Sequence, residues 1–311
     1  MNVFFMNLGT VATQVFILFL LMMVGFFTGK FNIFDDSTAK ILSDFCLKFA
    51  TPAVIIKSFI REYNPADAKN LLIAVLAAVI CHIICIATAT AMFRGKNVKE
   101  RSLLRCSAVL SNAGFMAMPL QAALLGNDGT FYGAAYVIVL TLFIWTYALI
   151  VMSAGSEKMN FKKIIINPGV IAVLVGLPIF LFSVKLPEPI SATVNHIANL
   201  NTPVPMIVVG YYLSKTSLKK VFLSKVTYAV MAARLLIAPL ICLGVLYILQ
   251  ISGTILVSTV IAASAPVAVA CTMFSAKFGN DTELSANMVS VSTLFSIVTM
   301  PLIVALAQTV A

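Results

Sequence analysis

Residues 111–125, Ser111-Asn-Ala-Gly-Phe-Met-Ala-Met-Pro-Leu-Gln-Ala-Ala-Leu-Leu125, lie deep in an apolar segment where an unbroken helix is expected. Gly114 and Pro119 stand five residues apart inside it, and Asn112 brings an amide with no charged neighbour. A proline removes one backbone donor, clashes with the preceding turn and steers the residue before it, here Met118, out of the helical region. In hydrocarbon a freed backbone group costs several kcal/mol unless a partner meets it. Irregular backbone at that depth is therefore kept where it faces protein or a wet cavity. The stretch predicts a broken membrane helix, and a broken membrane helix points to a binding site.

Composition extends this reading to the whole chain. Its 311 residues are 61% hydrophobic and 10% charged, with a mean hydropathy of +1.03. A soluble domain of that composition would lack polar cover for its exterior. Apolar stretches of about 20 residues, the length that crosses a bilayer core, recur from end to end. We read ten spans, roughly Val11–Gly29, Ser37–Ile60, Ala68–Phe93, Leu103–Leu125, Thr130–Ala154, Ile164–Val184, Pro189–Ser214, Val226–Leu249, Gly253–Phe278 and Glu283–Thr309. The fold class is an all-α polytopic membrane protein whose loops are too short for a separate soluble domain. Val11–Phe27 is too long for a signal-peptide core and has no basic residue before it, so it reads as a mature helix. Cys46, Cys81, Cys85, Cys106, Cys242 and Cys271 all fall inside apolar segments and read as small buried hydrophobes rather than a disulfide framework.

The net charge of +10 lies in the connections between spans, which argues for membrane orientation and against nucleic acid. Fifteen basic residues fall in odd-numbered connections: Lys30, Lys40, Arg94, Lys96, Lys99, Arg101, Arg105, Lys158, Lys162, Lys163, Lys215, Lys219, Lys220, Lys225 and Lys277. Four, Lys57, Arg61, Lys69 and Lys185, fall in the even ones. The positive-inside bias then puts the odd connections in the cytoplasm and both termini on the far side of the plasma membrane.

Short motifs recur at one spacing. Leu125-Gly-Asn-Asp128 is echoed by Phe278-Gly-Asn-Asp281, Thr51-Pro52 by Thr202-Pro203, and Thr141-Leu-Phe143 by Thr293-Leu-Phe295, at offsets of 153, 151 and 152. A repeat of five spans ends on the side opposite its start, so residues 1–154 and 155–311 read as two inverted five-helix repeats. Inverted repeats characterise secondary transporters, with the site near the midplane at the repeat interface. Span 9 supplies a second interruption, Ala263-Ser-Ala-Pro-Val-Ala-Val-Ala-Cys-Thr272. Two broken helices, 4 and 9, would cross, and the positive ends of their half-helices suit an anionic or strongly polar solute.

Ser111-Asn-Ala-Gly-Phe-Met-Ala-Met-Pro119 resembles the auxin efflux carrier family, whose pattern here is Asn-Thr-Gly-Phe-x-Gly-x-Pro; prokaryotic members include malate and malonate permeases. Ala265-Pro-Val-Ala, Glu283-Leu-Ser and Ser292-Thr-Leu-Phe-Ser-Ile-Val-Thr-Met-Pro301 support the likeness, which covers essentially the whole chain. Ala113 and Ala117 stand where the pattern has Thr and Gly, and the long central loop of plant auxin carriers is missing. The resemblance implies a fold like that of sodium/proton antiporters and bile acid symporters. Spans 1, 2, 6 and 7 would form a scaffold, and spans 3–5 and 8–10 a transport domain that moves like an elevator. It also implies a homodimer through the scaffold helices.

The candidate residues follow from the two breaks. Asn112 either meets the solute or satisfies carbonyls freed by the break, while Ala113, Gly114 and Pro119 shape the backbone around it. Ser264, Ala265, Pro266 and Thr272 mark the break in span 9, although the hydroxyls can equally bond back to their own helix. Gln121, one turn past the first break, can face the same cavity. Charge inside a membrane is functional by default. Asp44 and Lys48, four apart in span 2, read as a structural pair or as a proton-coupling carboxylate with its counter-ion. Arg234 either holds an organic anion's carboxylate in a bidentate fork or snorkels to the cytoplasmic face. Cys81-His82-x-x-Cys85 offers three ligand types on one helix with no second pair nearby in sequence, so we expect no metal. His196, beside Asn195 and Asn199, falls in the scaffold.

The function these residues suggest is secondary transport of a small organic anion, such as malate or malonate, with no cofactor beyond a coupling proton or sodium ion. An anion channel and an intramembrane enzyme are the rival classes. The chain has no His-Glu-x-x-His, no Gly-x-Ser-x-Gly and no Walker loop, and a channel predicts a continuous pore instead of paired interruptions.

Overall fold

A computed structural model describes residues 2–95, 97–157, 165–215 and 225–311. Lys96, Lys158, Lys162, Lys163, Lys219 and Lys220 of the basic connections, and Ile164 at the expected start of span 6, lie outside the described residues. The described residues are helical almost throughout, with a single isolated β-bridge. In order, the helices are α1 (Asn2–Lys30), α2 (Asp36–Phe45), α3 (Thr51–Phe59), α4 (Pro65–Met92), α5 (Val98–Val109), α6 (Met118–Phe143) and α7 (Leu149–Met152). They continue as α8 (Pro168–Leu181), α9 (Glu188–Asn199), α10 (Pro203–Lys215), α11 (Lys225–Met231), α12 (Ala238–Ile248), α13 (Gly253–Ser264), α14 (Ala270–Phe278) and α15 (Thr282–Val310). Five helix starts are capped by side chains: Asp35, Asn64, Asn97, Asn167 and Asp281 each accept from a first-turn amide.

Among the described residues, five helical stretches are long and apolar enough to cross a membrane: Phe4–Lys30, Pro65–Met92, Ala113–Met152, Lys225–Ile248 and Thr282–Val310. Pro168–Leu181 and Gly253–Ser264 are apolar but shorter. Phe16, Leu20, Val24 and Phe27 form an exposed apolar stripe on α1. A helix apolar on its outer face needs lipid there. This is a multi-pass, all-α membrane protein.

The 40-residue stretch Ala113–Met152 is not one rod. Gly126 takes φ 62 and ψ −143 inside it. A straight helix would separate Gln121 from Gly133 by about 18 Å, yet a Cβ on Gly133 would run into the Gln121 side-chain amide. The chain therefore reverses at Gly126, and residues 113–125 lie against residues 127–143. Gly279 also has positive φ, at 67°, in the second copy of the Gly-Asn-Asp motif.

Three of the prolines are accommodated by widened turns. Three π turns, Cys46–Ala50, Ala113–Ala117 and Ala232–Ile237, end just ahead of Pro52, Pro119 and Pro239. In each, the residue before the proline donates five residues back: Thr51 to Cys46, Met118 to Ala113, Ala238 to Ala233. The wider turn gives the pyrrolidine ring space where an α turn would clash, and the missing donor falls where the ladder is already shifted.

α1 lies along α10 and against α15, and α3 lies between α8 and α9 and also against α6; α4, α6, α12, α13 and α15 pack on one another. Gly25 and Gly210 bring α1 and α10 into backbone contact. A Cβ on Gly25 would collide with the Ile207 backbone, and one on Gly210 with that of Met22. Small residues at such a seam let backbones approach where lipid supplies no hydrophobic drive.

Candidate functional site: two broken helices and the cavity beside them

α5 ends at Val109, and Leu110 turns extended at φ −84, ψ 118. α13 ends at Ser264, and Ala265 is extended at φ −63, ψ 150, as a residue before proline must be. The two interruptions meet. The Asn112 amide donates to the Pro266 carbonyl at 2.8 Å, and the Ala268 amide to the Leu110 carbonyl at 2.9 Å. Ser111 and Val267 thereby form an antiparallel bridge. A third donor, the Val267 amide, reaches Ser292 Oγ on α15 at 3.0 Å. Each break thus satisfies groups the other has freed.

The interruption lies at residues 110–112, upstream of where Pro119 suggests. Met118 is helical, at φ −58 and ψ −43, because the π turn before it absorbs the proline. The expectation that Met118 leaves the helical region is corrected.

Arg234 sits where the ends of α5 and α13 converge and is fully buried. Nε donates to Ala265 O at 3.0 Å, Nη1 to Val109 O at 3.2 Å and Ala108 O at 3.4 Å, and Nη2 to Ala263 O. Nη1 also approaches Cys85 Sγ at 3.6 Å. These oxygens belong to the last turns of α5 and α13, whose carbonyls have no intrahelical partner and carry the negative end of the dipole. Snorkelling is excluded by this burial, and the fork is turned onto backbone, not held open for a carboxylate.

The other candidates separate by role. Asn112 is 7% exposed, and its Nδ2 has no partner. Ala113, Ala265 and Pro266 are buried in the crossing, while Gly114 is partly open, with nothing within 4 Å of an added Cβ. Ser264 bonds back to Ile261 O, and Thr272 meets Ser285 Oγ at 3.2 Å. Gln121 donates to Ser258 O at 2.8 Å and is buried between helices, away from the cavity described next. Asp44 and Lys48 pair at 2.9 Å with side chains 50% and 57% exposed, so they do not face the crossing. The cysteines are free and buried; His82 Nδ1 bonds Ala78 O at 2.7 Å, and its ring stacks on Phe143.

A cavity of about 480 Å³ opens beside the second half of the broken helix. Met118, Pro119, Ala122, Gly126, Asn127 and Thr130 form one wall. The opposite wall is Val54 and Lys57 of α3 and Ile60 just after it, with Ser191, Asn195, Ala198 and Asn199 of α9 and Asn201 and Thr202 in the turn that follows. Thr51 and Asn201 bond side chain to side chain at 2.8 Å and tie these elements together. Among the lining residues Lys57 is the one charged group; four asparagines, two threonines and a serine supply neutral hydrogen bonds. From the sequence alone Lys57 reads as a loop charge, and of these asparagines Asn195 and Asn199 stand out only beside His196 and Asn127 only in the repeated Gly-Asn-Asp motif. Pro119 is the one residue foreseen as a site residue that lines this space.

The profile of the membrane transport protein family matches residues 10–304. An uncharacterized transporter of Methanothermobacter thermautotrophicus is 26% identical over 303 residues, covering 95% of this chain and 97% of the relative. The Escherichia coli uncharacterized transporter YfdV is 24% identical over 295 residues, 91% and 93% of the two chains. A mouse lysosomal cholesterol signaling protein is 22% identical over 307 residues, 89% of this chain but 35% of that protein. The chain is a member of the membrane transport protein family, that of the auxin efflux carriers.

Proposed function

We propose that the protein is a secondary transporter of small organic anions, malate and malonate being the first candidates, and not an enzyme. The observation that carries this is the cavity: one lysine, seven neutral polar side chains and no carboxylate, set against the helix that leaves the crossing. A lysine without a carboxylate partner in a polar cleft attracts an anion, and the asparagines can replace its water. The cavity lies between α6 on one side and α3 and α9 on the other, and an elevator would slide one of these walls past the other. The crossing supports the inverted-repeat reading, with residues 1–154 and 155–311 as the halves. So do the positive φ at both Gly126 and Gly279 and the matching bonds of Thr141 to Val137 O and Thr293 to Val289 O.

The test is counterflow of labelled malate or malonate into liposomes holding purified protein. Saturable exchange that falls about 10-fold or more in Lys57→Gln is expected, since a hydrogen bond to a charged group contributes about 1.5–3 kcal/mol. Ohmic conductance would replace the carrier with a channel. Transport untouched by Lys57→Gln would remove the cavity from the pathway.

A further inference from the structure

We infer that Arg234 is a tethered cation occupying the carbonyl cage at the crossing, the place a coupling sodium ion would otherwise take, so that the protein binds no sodium there. Half-helix C-termini and unwound carbonyls are what coordinate sodium at the broken helices of carriers. Here two such ends converge, Ala108 and Val109 from α5 and Ala263 and Ala265 from α13, and all four oxygens accept from one guanidinium. That group is permanently charged, has no exposed surface, and pairs with no carboxylate among the described residues. An isolated buried charge is prohibitively costly unless oriented dipoles meet it. The helix ends do so, and their negative potential is thereby used up. A second cation would have to share those oxygens with the guanidinium at close range.

The π turn Ala232–Ile237 is part of the arrangement, because it carries Arg234 on a widened turn. The planar fork spreads its donors over two helix ends. A lysine ammonium, a point donor, cannot span them, so Arg234→Lys would leave carbonyls unmet.

The word coupling rests on the carrier reading, but the readout does not, since it needs no substrate. Thermal unfolding of purified protein in detergent is compared in sodium chloride and in choline chloride at equal ionic strength. The wild type is expected to melt at the same temperature in both. Arg234→Ala is expected to melt lower and to regain about 2 °C or more when guanidinium at about 10 mM, far below denaturing levels, or sodium is added. The wild type should gain from neither, and Arg234→Lys should also melt low. A sodium-dependent rise in the wild type overturns the inference, as does an Arg234→Ala protein indifferent to both cations. If Arg234→Ala cannot be recovered folded, the wild-type comparison decides alone: equal melting in the two salts supports the inference, and a sodium-dependent rise overturns it. Failure of malate and malonate to move would leave these melting curves unaltered, and sodium binding here would leave the cavity reading standing.

Discussion

Removing the Ser292 hydroxyl tests whether the crossing is held by side chains from outside it. Ser292 and Ser296 sit four apart on α15, both with no exposed surface. Ser296 Oγ only bonds back to Thr293 O at 2.7 Å. Ser292 Oγ makes the same kind of bond to Val289 O at 3.0 Å, and it also accepts the Val267 amide at the break. Changing each to alanine deletes the same atom from the same helix, so the difference between them isolates the orphaned amide. A buried donor left without an acceptor costs about 1–3 kcal/mol. Scaling by the unfolding entropy of globular chains makes this roughly 1.5 °C per kcal/mol for a chain this long, so Ser292→Ala should melt about 1.5–5 °C below Ser296→Ala. Membrane helices unfold incompletely in detergent, which lowers the entropy and makes that range a floor. Ser292→Thr, which keeps the oxygen, should sit nearer the wild type. The measurement is a thermal melt of the variants in one detergent. Equal melting of the two alanine variants would refute the reasoning, because the Val267 amide would then have another partner.

Gly25→Ala should destabilise the α1–α10 seam, because its Cβ lands on the Ile207 backbone, whereas Gly244→Ala meets nothing within 4 Å and should stabilise α12 by about 0.5–1 kcal/mol. Gel filtration and melting of the pair check this, and like behaviour of both would dismiss the close approach. Arg61 pairs with Asp128 and, at 3.5 Å, with Asp67, and lies 4.5 Å from the Phe131 ring centre. Arg61→Lys should therefore lose about 1 kcal/mol despite keeping the charge, since only the planar fork both stacks and bridges; a melt equal to the wild type's would refute it. The Asp35 carboxylate is held below its ordinary value of 3.8 by the Thr38 hydroxyl and amide. Its share of stability is complete above that value and is lost as pH falls through the lowered one. Wild type and Asp35→Asn should therefore converge in melting temperature on acidification, and a constant gap down to pH 2 would contradict this.

Hydropathy is a local property, so the membrane class and most helical segments were legible along the chain. The break in span 9 was legible too, because a proline dictates the conformation of the residue before it and Ala265 obeys. The break in span 4 was legible as a stretch, with Asn112 in the crossing, but not in its cause. Pro119 has a local remedy in the π turn, whereas Leu110–Asn112 leave the helix because their backbone groups find partners more than 150 positions away.

What the sequence determined by itself is that this chain spans a membrane and interrupts two helices with groups that hydrocarbon cannot satisfy. Only the tertiary structure decided what satisfies them: the interruptions pair with one another, and Arg234 serves the helix ends instead of a solute or the membrane surface. The same holds for the cavity, which Lys57 lines together with asparagines from α9 and the turn after it. Charge and helix propensity are written residue by residue, but where a donor finds its acceptor depends on which distant segments the packing brings together.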